Sequence, residues 1–253
     1  MENPCSVTLV RHAESEYNAL RAKKEADPLY KEFQHAYETD IFSQETRTLA
    51  QKVKEKFAMS TGDYNTRLTE KGIRQAKMTG EKLSQQIPCP DFIFISPYYR
   101  TKETLLHMSS TWTELQKSLT ITEELIREHE YGVGVLYNDW RVFQTFHPEQ
   151  KEYRELATPY WYRYPQGESI PDVRQRIEIF KNKYSSIYAE KNVLIISHHR
   201  TILSFVANQE EMSSEGLMLL DKSQPPISCG VTDYKNTKGK LKLLHYNKKL
   251  WTE

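Results

Sequence analysis

An arginine and a histidine stand together at the end of a short apolar run near the N-terminus. In "VTLVRHAESEYN", residues 7–18, the apolar run stops at Arg11 and His12, and polar residues follow. Arginine donates two parallel hydrogen bonds to phosphate oxygens and stays charged. A neutral histidine can attack phosphorus and become a phosphohistidine. The pair therefore indicates phosphate chemistry, with a simple polar strand end as the alternative for this motif alone.

Two later segments place similar side chains after apolar runs. Arg100 in "SPYYRTKET" follows the run at 91–95, and His198 in "SHHRT" follows the run at 192–197. If these runs are strands of one open α/β sheet, their carboxyl ends share the edge where ligands bind. Helices that begin there add N-termini that favour anions. The sequence therefore predicts one anion site formed by Arg11, His12, Arg100 and His198.

Hydrolysis of a phosphomonoester also needs a proton for the leaving oxygen. A carboxyl group beside a phosphate dianion has a raised pKa and can hold that proton near neutral pH. The segment "LIREHEYGVG" offers Glu128 and Glu130, and spacing alone does not choose between them. The ring nitrogen that does not attack should donate to a fixed acceptor, for which a backbone carbonyl near the strand end is a candidate.

A metal site is the alternative use of paired histidines. His198 and His199 are adjacent, but the chain contains neither H-x-x-x-H nor H-E-x-x-H spacing. The cysteines are an odd number without C-x-x-C spacing, which argues against a zinc site and a disulfide framework; they are Cys5, Cys89 and Cys229. We therefore expect no metal and no other cofactor.

The composition limits the classes of partner. Lysine and arginine number 35 against 34 acidic residues, so no broad charge attracts nucleic acid or an anionic membrane. No apolar run approaches the ~20 residues of a membrane-spanning helix. The start "MENPCSVTLV" lacks the basic and long apolar parts of a signal peptide. We expect a cytoplasmic protein without nucleic-acid or membrane partners, and the oligomeric state stays open.

The elements that must position these residues follow from local patterns. Apolar runs rich in β-forming residues predict strands at 6–10, 91–95 and 192–197, and a weaker one at 119–123. Helical periodicity predicts helices over 70–87, capped by Thr69, and 171–188. "SCGVTDY" and "LKLLHY" around "NTKGK" predict two antiparallel strands. The fold class is therefore α/β, a three-layer α/β/α domain with a mainly parallel central sheet and an antiparallel C-terminal edge.

Two segments lie outside this alternation. Residues 20–66 are charged and helical in pattern, with Ser43 as the expected cap of a helix through "QETRTLAQKVKEKF". Their apolar residues are too few for a core. Residues 131–165 are rich in aromatic side chains, for which packing in a core or lid is favoured over stacking on a leaving group. We predict one domain over 1–253, with a helical insertion at about 20–66 and a cap at about 131–165.

Six motifs, in order, resemble the histidine phosphatase superfamily in its phosphoglycerate-mutase-like branch. They are "LVRHAESEYN", "LTEKGIRQA", "SPYYRTKET", "REHEYG", "YRYPQGES" followed by "DVRQRI", and "ISHHRTI". They span about 7–18 and 67–234. The resemblance implies an enzyme that hydrolyses a phosphomonoester through a phosphohistidine and needs no metal.

The resemblance also implies a role for each matching residue. His12 is the implied nucleophile. Glu128 rather than Glu130 is the implied proton donor, because it stands at the position of the family's acid, four residues before Gly132. The resemblance implies that the ligands of the phosphoryl group are Arg11, Asn18, Arg100 and His198.

The sequence also departs from the family pattern. Ala13 stands where the motif usually has glycine. We expect the alanine to be accommodated by a backbone with a negative φ. His199 and Arg200 replace two small residues, and they either line the pocket or form a polar helix start that faces solvent. The segment 20–66 is longer than the usual connection and lacks the mutase-like "FQGW" stretch.

A phosphatase is the favoured interpretation. The alternatives are phosphoglycerate-mutase-type phosphoryl transfer and a non-catalytic module that binds a phospho-ligand or protein. The expected substrate is a phosphorylated small molecule or a phosphoprotein, and the sequence does not identify it.

Overall fold

Six strands form one mixed sheet in the computed structural model, which describes residues 3–252. The strands are β1 (Ser6–Arg11), β2 (Phe92–Ile95), β3 (Leu119–Thr122), β4 (Asn192–Ser197), β5 (Val231–Thr237) and β6 (Lys240–Lys248). Their order is β3-β2-β4-β1-β5-β6. The first four are parallel, and β5 and β6 are antiparallel to their neighbours. The predicted mainly parallel sheet with an antiparallel C-terminal edge is confirmed.

Helices connect the strands and fill the two segments that lack strands. They are α1 (Glu16–Ala26), α2 (Pro28–Thr39), α3 (Gln44–Lys56), α4 (Glu70–Ser84), α5 (Tyr99–Ser109), α6 (Trp140–Phe146), α7 (Glu149–Trp161), α8 (Ile170–Tyr184), α9 (His199–Gln209) and α10 (Ser214–Ser223). Short 3₁₀ turns lie at Asp63–Asn65, Thr113–Lys117, Glu124–Ile126 and Gly132–Tyr137. The predicted caps are confirmed, since Thr69 and Ser43 accept hydrogen bonds from the first turns of α4 and α3.

Alternate residues of β1 face opposite sides of the sheet, as the two-residue repeat of a strand requires. Val7 lies in one buried cluster with residues of α8 and α9, namely Ile177, Phe180, Ile202 and Phe205. Val10 lies in a second cluster with residues of α4 and α5, namely Ala76, Leu83 and Met108. Helices thus cover both faces of the sheet, and the predicted three-layer α/β/α arrangement is confirmed.

The chain divides into two compact units. The sheet unit contains residues 3–15, 64–128 and 172–252, and it includes every strand of the described residues. The helical unit contains residues 16–63 and 129–171. The predicted organisation as one domain with an insertion and a cap stays a prediction.

The helical unit has a buried apolar cluster. Residues from the predicted insertion, among them Tyr30, Phe33 and Val53, pack in it with Val142 from the predicted cap. Counting residues 20–66 alone therefore underestimated the apolar residues available, because a second segment far along the chain completes the cluster. Within 131–165, Phe143, Tyr160 and Tyr162 are buried, whereas Tyr153 and Trp161 are exposed.

Candidate active site

The register between β1 and β4 brings His12 and His198 together. Arg11 pairs with Ser197 in the parallel ladder, so the residues that follow them lie at the same edge of the sheet. The backbone N–H of His12 donates to the oxygen of Ser197 at 2.9 Å. The two imidazole centroids are 5.1 Å apart, and His12 and His198 are 3% and 0% exposed. Two motifs that are far apart in the sequence thus form one buried pair.

The His12 ring has a defined orientation. Its Nδ1 atom lies 2.8 Å from the backbone oxygen of Ala13, and a carbonyl oxygen only accepts, so we assign the ring proton to Nδ1. The Nε2 atom of the neutral ring then keeps its lone pair. Burial, followed by the charges of Arg100 and Arg11, holds the pKa of His12 well below its usual value. His12 is therefore neutral at neutral pH, the form that acts as a nucleophile.

Two guanidinium groups lie within electrostatic reach of the histidine pair. Arg100 is in the first turn of α5, directly after β2, and is 4% exposed. Its guanidinium carbon is 4.6 Å from the centroid of the Tyr98 ring. Arg11 ends β1, and its Nη1 donates to the backbone oxygen of Pro226 at 2.8 Å. Both charges lower the pKa values of the two histidines, so an anion at this point would meet concentrated positive charge.

His198 is held between a hydroxyl group, a tyrosine ring and a carboxylate. The Oγ of Ser96 lies 2.7 Å from its Nε2, and the Tyr98 ring contacts it at a centroid distance of 5.0 Å. Its Nδ1 is 4.0 Å from Oε2 of Glu128. Burial, and then the charge of Arg100, lower the pKa of His198 well below its usual value. A neutral, fixed imidazole therefore stands beside His12.

Glu128 is positioned through its backbone. Arg176 of α8 donates to the backbone oxygens of Leu125 and Glu128, at 2.7 and 3.1 Å. The Glu128 side chain is 13% exposed. The carboxylate thus stands on a fixed segment beside His198 and keeps partial access to water, which a group that exchanges protons needs.

Some residues that support this arrangement received no role from the sequence: Ser96, Tyr98, Thr104 and Arg176. The hydroxyl of Thr104 accepts from the N–H of Ala13 at 3.0 Å and fixes the loop after His12. The available signal was their membership in the motifs, because "SPYYRTKET" contains the first three and "DVRQRI" contains Arg176.

The remaining predicted site residues lie in the helical unit. Asn18 is in α1. The N–H of Glu130 donates to the Glu168 carboxylate at 3.0 Å, and the backbone oxygen of Glu168 lies 2.7 Å from Nε2 of His129. Glu168 thus holds the segment that carries Glu130. A phosphate contact by Asn18 stays a prediction.

The two positions that depart from the family pattern after His198 share one partner. His199 Nε2 and Arg200 Nη1 lie 2.5 and 2.6 Å from the two carboxylate oxygens of Asp221 in α10. Their side chains are about a quarter exposed, at 25% and 23%. At the other departure, Ala13 is not among the described residues with positive φ, so its methyl group fits without backbone strain.

Within residues 3–252, no group of three or more His, Cys, Asp and Glu side chains is arranged to hold a metal ion. None of the helices in this part of the chain has the length and apolar character to cross a membrane.

Comparison with known proteins identifies a family. The model of the histidine phosphatase superfamily (branch 1) matches residues 51–247. A phosphoglycerate mutase-like protein of Arabidopsis thaliana is 29% identical over 168 residues, which are 58% of this chain and 57% of that protein. The chain spans about half the length of the curated relatives that it matches first.

Solved structures share the fold at low identity. An alpha-ribazole phosphatase of Shigella flexneri superposes with a TM-score of 0.65 at 16% identity, covering 96% of both chains. A phosphoserine phosphatase of Entamoeba histolytica, solved with 3-phosphoglyceric acid, gives a TM-score of 0.62 at 17% identity and covers 96% of each chain. At these identities the likeness concerns the fold alone.

Proposed function

The chain belongs to the histidine phosphatase superfamily, and from this premise we propose that it is a metal-independent phosphatase that hydrolyses a phosphomonoester through a phosphohistidine on His12. Glu128 is the proposed proton donor. The proposed ligands of the phosphoryl group are Arg11, Asn18, Arg100 and His198.

One observation carries the proposal. His12 is buried, neutral and oriented by the Ala13 carbonyl, so its Nε2 lone pair is available beside the charges of Arg11 and Arg100. A histidine that only packs in a core gains nothing from two nearby guanidinium groups, since they disfavour its protonated form. A nucleophile for a phosphate dianion needs this combination of a neutral nitrogen and nearby positive charge.

In the proposed first step, Nε2 of His12 attacks phosphorus as the bond to the leaving oxygen breaks. Glu128 gives its proton to that oxygen, and the dephosphorylated product leaves as an alcohol. Arg11, Arg100 and His198 stabilise the equatorial oxygens, where negative charge accumulates in the transition state. The Nδ1–H···O contact with Ala13 keeps the ring aligned and stabilises its new positive charge.

In the proposed second step, water attacks the phosphohistidine. The Glu128 carboxylate takes a proton from the water, and the bond between phosphorus and Nε2 breaks. Inorganic phosphate leaves, and His12 and protonated Glu128 are restored. Each proton that Glu128 donates in the first step is therefore recovered in the second.

Hydrolysis of p-nitrophenyl phosphate in the presence of EDTA tests this proposal. Wild-type protein should hydrolyse the substrate, and kcat should fall about 10³-fold or more in His12→Ala. His35→Ala, which removes an exposed histidine of α2, is the matched control and should keep full activity. Turnover that persists in His12→Ala, or stops with EDTA alone, would contradict the proposal.

The acid role needs a second substrate. Glu128→Gln should lower kcat/KM for alkyl phosphates far more than kcat/KM for p-nitrophenyl phosphate, since kcat/KM reports the first step and nitrophenolate leaves without a proton. Glu130→Gln is the control and should affect both substrates little. If Glu130→Gln shows the selective loss instead, the acid assignment to Glu128 is wrong.

The likeness to a mutase-like relative makes phosphoryl transfer between two hydroxyl groups the second candidate. A mutase keeps water away from the phosphoenzyme and returns the phosphoryl group to its substrate. Incubation with 3-phosphoglycerate tests for the mutase, because a mutase forms 2-phosphoglycerate, whereas a phosphatase that accepts this ester releases inorganic phosphate. If the protein forms neither inorganic phosphate nor an isomerised product from any phosphoester, a non-catalytic binding module is favoured.

A further inference from the structure

A ladder of aromatic rings in the sheet unit runs from the buried histidines to the surface. Its members are His12, His198, Tyr98 and Tyr64, and successive ring centroids are 5.1, 5.0 and 5.0 Å apart. We call this set the aromatic ladder. Tyr98 is 8% exposed and Tyr64 is 44% exposed, whereas both histidines are buried. The aromatic ladder therefore joins the proposed phosphate site to solvent.

The outer end of the aromatic ladder lies a short distance from the phosphate ligands. The guanidinium carbon of Arg100 is 4.6 Å from the Tyr98 centroid, and Tyr64 is one ring further out. Arg100 and Tyr64 thus contact the same ring, that of Tyr98. We take this shared contact to place the Tyr64 ring within reach of a group that is joined to the bound phosphate through a few bonds.

Tyr64 presents an aromatic surface at this end. Its ring is tilted by 42° against Tyr98, which fixes its place, and almost half of the residue is open to solvent. The Nζ of Lys102 is 6.0 Å from the Tyr64 centroid. A planar ring stacked on Tyr64 gains contact with a π face and lies close to a cation, and both interactions favour aromatic over saturated groups.

We propose that Tyr64 is a specificity-determining residue, which selects phosphomonoesters whose leaving group carries a planar aromatic ring that stacks on it. This inference rests on the proposed function, because it takes Arg100 and the two histidines as the phosphate site. Two sources supply such a ring, the base of a nucleoside monophosphate and an aryl group near the phosphate. Sugar phosphates and phosphoglycerates lack it.

Matched substrate pairs test the proposal. Adenosine 5′-monophosphate and ribose 5-phosphate share a primary alcohol leaving group and differ in the base. Benzyl phosphate and cyclohexylmethyl phosphate differ in whether the ring is aromatic. We expect kcat/KM to favour the aromatic member of at least one pair by about three- to tenfold. The pair with the larger ratio identifies the source of the ring.

Two variants locate the preference. Tyr64→Leu should bring the ratio close to one, and because the ratio is taken within one variant, a general loss of activity cancels. Tyr153→Leu is the matched control: Tyr153 is 60% exposed and lies in α7, outside the aromatic ladder. Its ratio should equal that of the wild type. A wild-type ratio near one in both pairs, a ratio that survives in Tyr64→Leu, or an equal loss in Tyr153→Leu would overturn the proposal.

Binding separates failure of this proposal from failure of the proposed function. If no phosphoester is hydrolysed, the proposed function fails. Titration calorimetry with benzylphosphonate and cyclohexylmethylphosphonate then tests the aromatic ladder without catalysis. The aromatic phosphonate should bind more tightly by the same three- to tenfold, about what one aromatic contact contributes, and Tyr64→Leu should remove the difference. If the wild-type protein binds the two phosphonates with equal affinity, the proposed role of Tyr64 is wrong.

Discussion

At the scale of single residues, the environment of His12 sets its protonation state. The ring is buried, and its charged form is disfavoured first by desolvation and then by the charges of Arg100 and Arg11. The same two arginines are the proposed ligands of phosphate. The proposed substrate ligands are thus the same guanidinium groups that, after burial, help to keep His12 neutral.

Removal of one of these charges should raise the pKa of His12. In Arg100→Gln, the protonated His12 ring is no longer repelled by the Arg100 charge, so the pKa of His12 should rise toward the usual histidine value. Burial should still keep this pKa below that value. The acid limb of kcat/KM should move to higher pH with it. NMR titration of the imidazole C–H signals of His12 measures the shift directly.

Arg67→Gln is the control for this experiment. Its side chain is 55% exposed and pairs with Glu103, so solvent screens its charge. The His12 titration should therefore match that of the wild type. An unchanged His12 pKa in Arg100→Gln would contradict the electrostatic account.

The arginines and histidines that meet at the sheet edge could be predicted from the sequence, but the residues that support them could not. Arg11, His12, Arg100 and His198 each follow a local apolar run, so a short window reveals them. Ser96 and Arg176 act through partners distant in the chain, at His198 and at the backbone of Glu128. Such partners depend on strand register and helix packing, which a sequence window does not contain.

At the scale of elements, the start of α4 packs directly on the loop that follows His12. The N–H of Thr69 donates to the backbone oxygen of Glu14 at 3.0 Å, and a Cβ added at Gly72 would lie 2.1 Å from that oxygen. The N–H of Glu14 also donates to the side chain of Gln75 at 2.9 Å. Glycine at position 72 therefore allows α4 to fix the loop after His12 at close range.

Gly72→Ala should destabilise the fold and impair catalysis together. The methyl group collides with backbone, which has no flexible end to move aside, and such overpacking costs about 1–3 kcal/mol. Displacement of the loop should lower kcat about ten- to a hundredfold, because reacting groups tolerate little misplacement. Urea unfolding and steady-state kinetics measure the two effects.

Gly216→Ala supplies the control in another helix. The nearest atom to an added Cβ is 3.6 Å away, an ordinary contact, so stability should stay equal or rise by up to about 1 kcal/mol. If Gly72→Ala behaved like Gly216→Ala, the close approach of α4 would not constrain the site.

Local signals explain which elements the sequence predicts well. Thr69 and Ser43 cap helices through their own first turns, and β1 and β4 are short apolar runs. The helix predicted over 70–87 is α4, which ends at Ser84 with Gln85 as its C-cap residue. Apolar spacing continues through a turn as easily as through a helix, so periodicity alone misplaced this end.

At the scale of the whole molecule, the helical unit contains a buried ion pair. Lys24 Nζ lies 2.7 Å from Oδ2 of Asp139, and the side chains are 6% and 5% exposed. Tyr30 donates to the same carboxylate oxygen, and Lys24 also donates to the backbone oxygen of Asn138. The pair connects residues of the predicted insertion to residues of the predicted cap.

Lys24→Met should therefore test whether the chain unfolds as one domain. It leaves a buried carboxylate without its cation, which costs about 3–5 kcal/mol. If the chain is one cooperative domain, amide hydrogen exchange should accelerate in β1 and β4 as well as in α2 and α3. Acceleration confined to the helical unit would contradict the one-domain prediction.

Arg21→Met is the matched control on the same helix. Arg21 pairs with Glu25 at 2.8 Å, but the side chains are 63% and 53% exposed. Loss of an exposed pair should change the free energy of unfolding by about 0–1 kcal/mol. A loss as large as that of Lys24→Met would show that burial is not the reason for the effect.

The phosphohistidine is the central claim, and trapping it is its most direct test. Wild-type protein is mixed with a phosphomonoester, quenched in alkali within one turnover, digested and mapped by mass spectrometry. We expect one added phosphoryl group on the peptide that contains His12, with more accumulating in Glu128→Gln when the substrate has a good leaving group, because water attack is then slowed. A phosphoryl group on another residue, or none while turnover continues, would contradict the account.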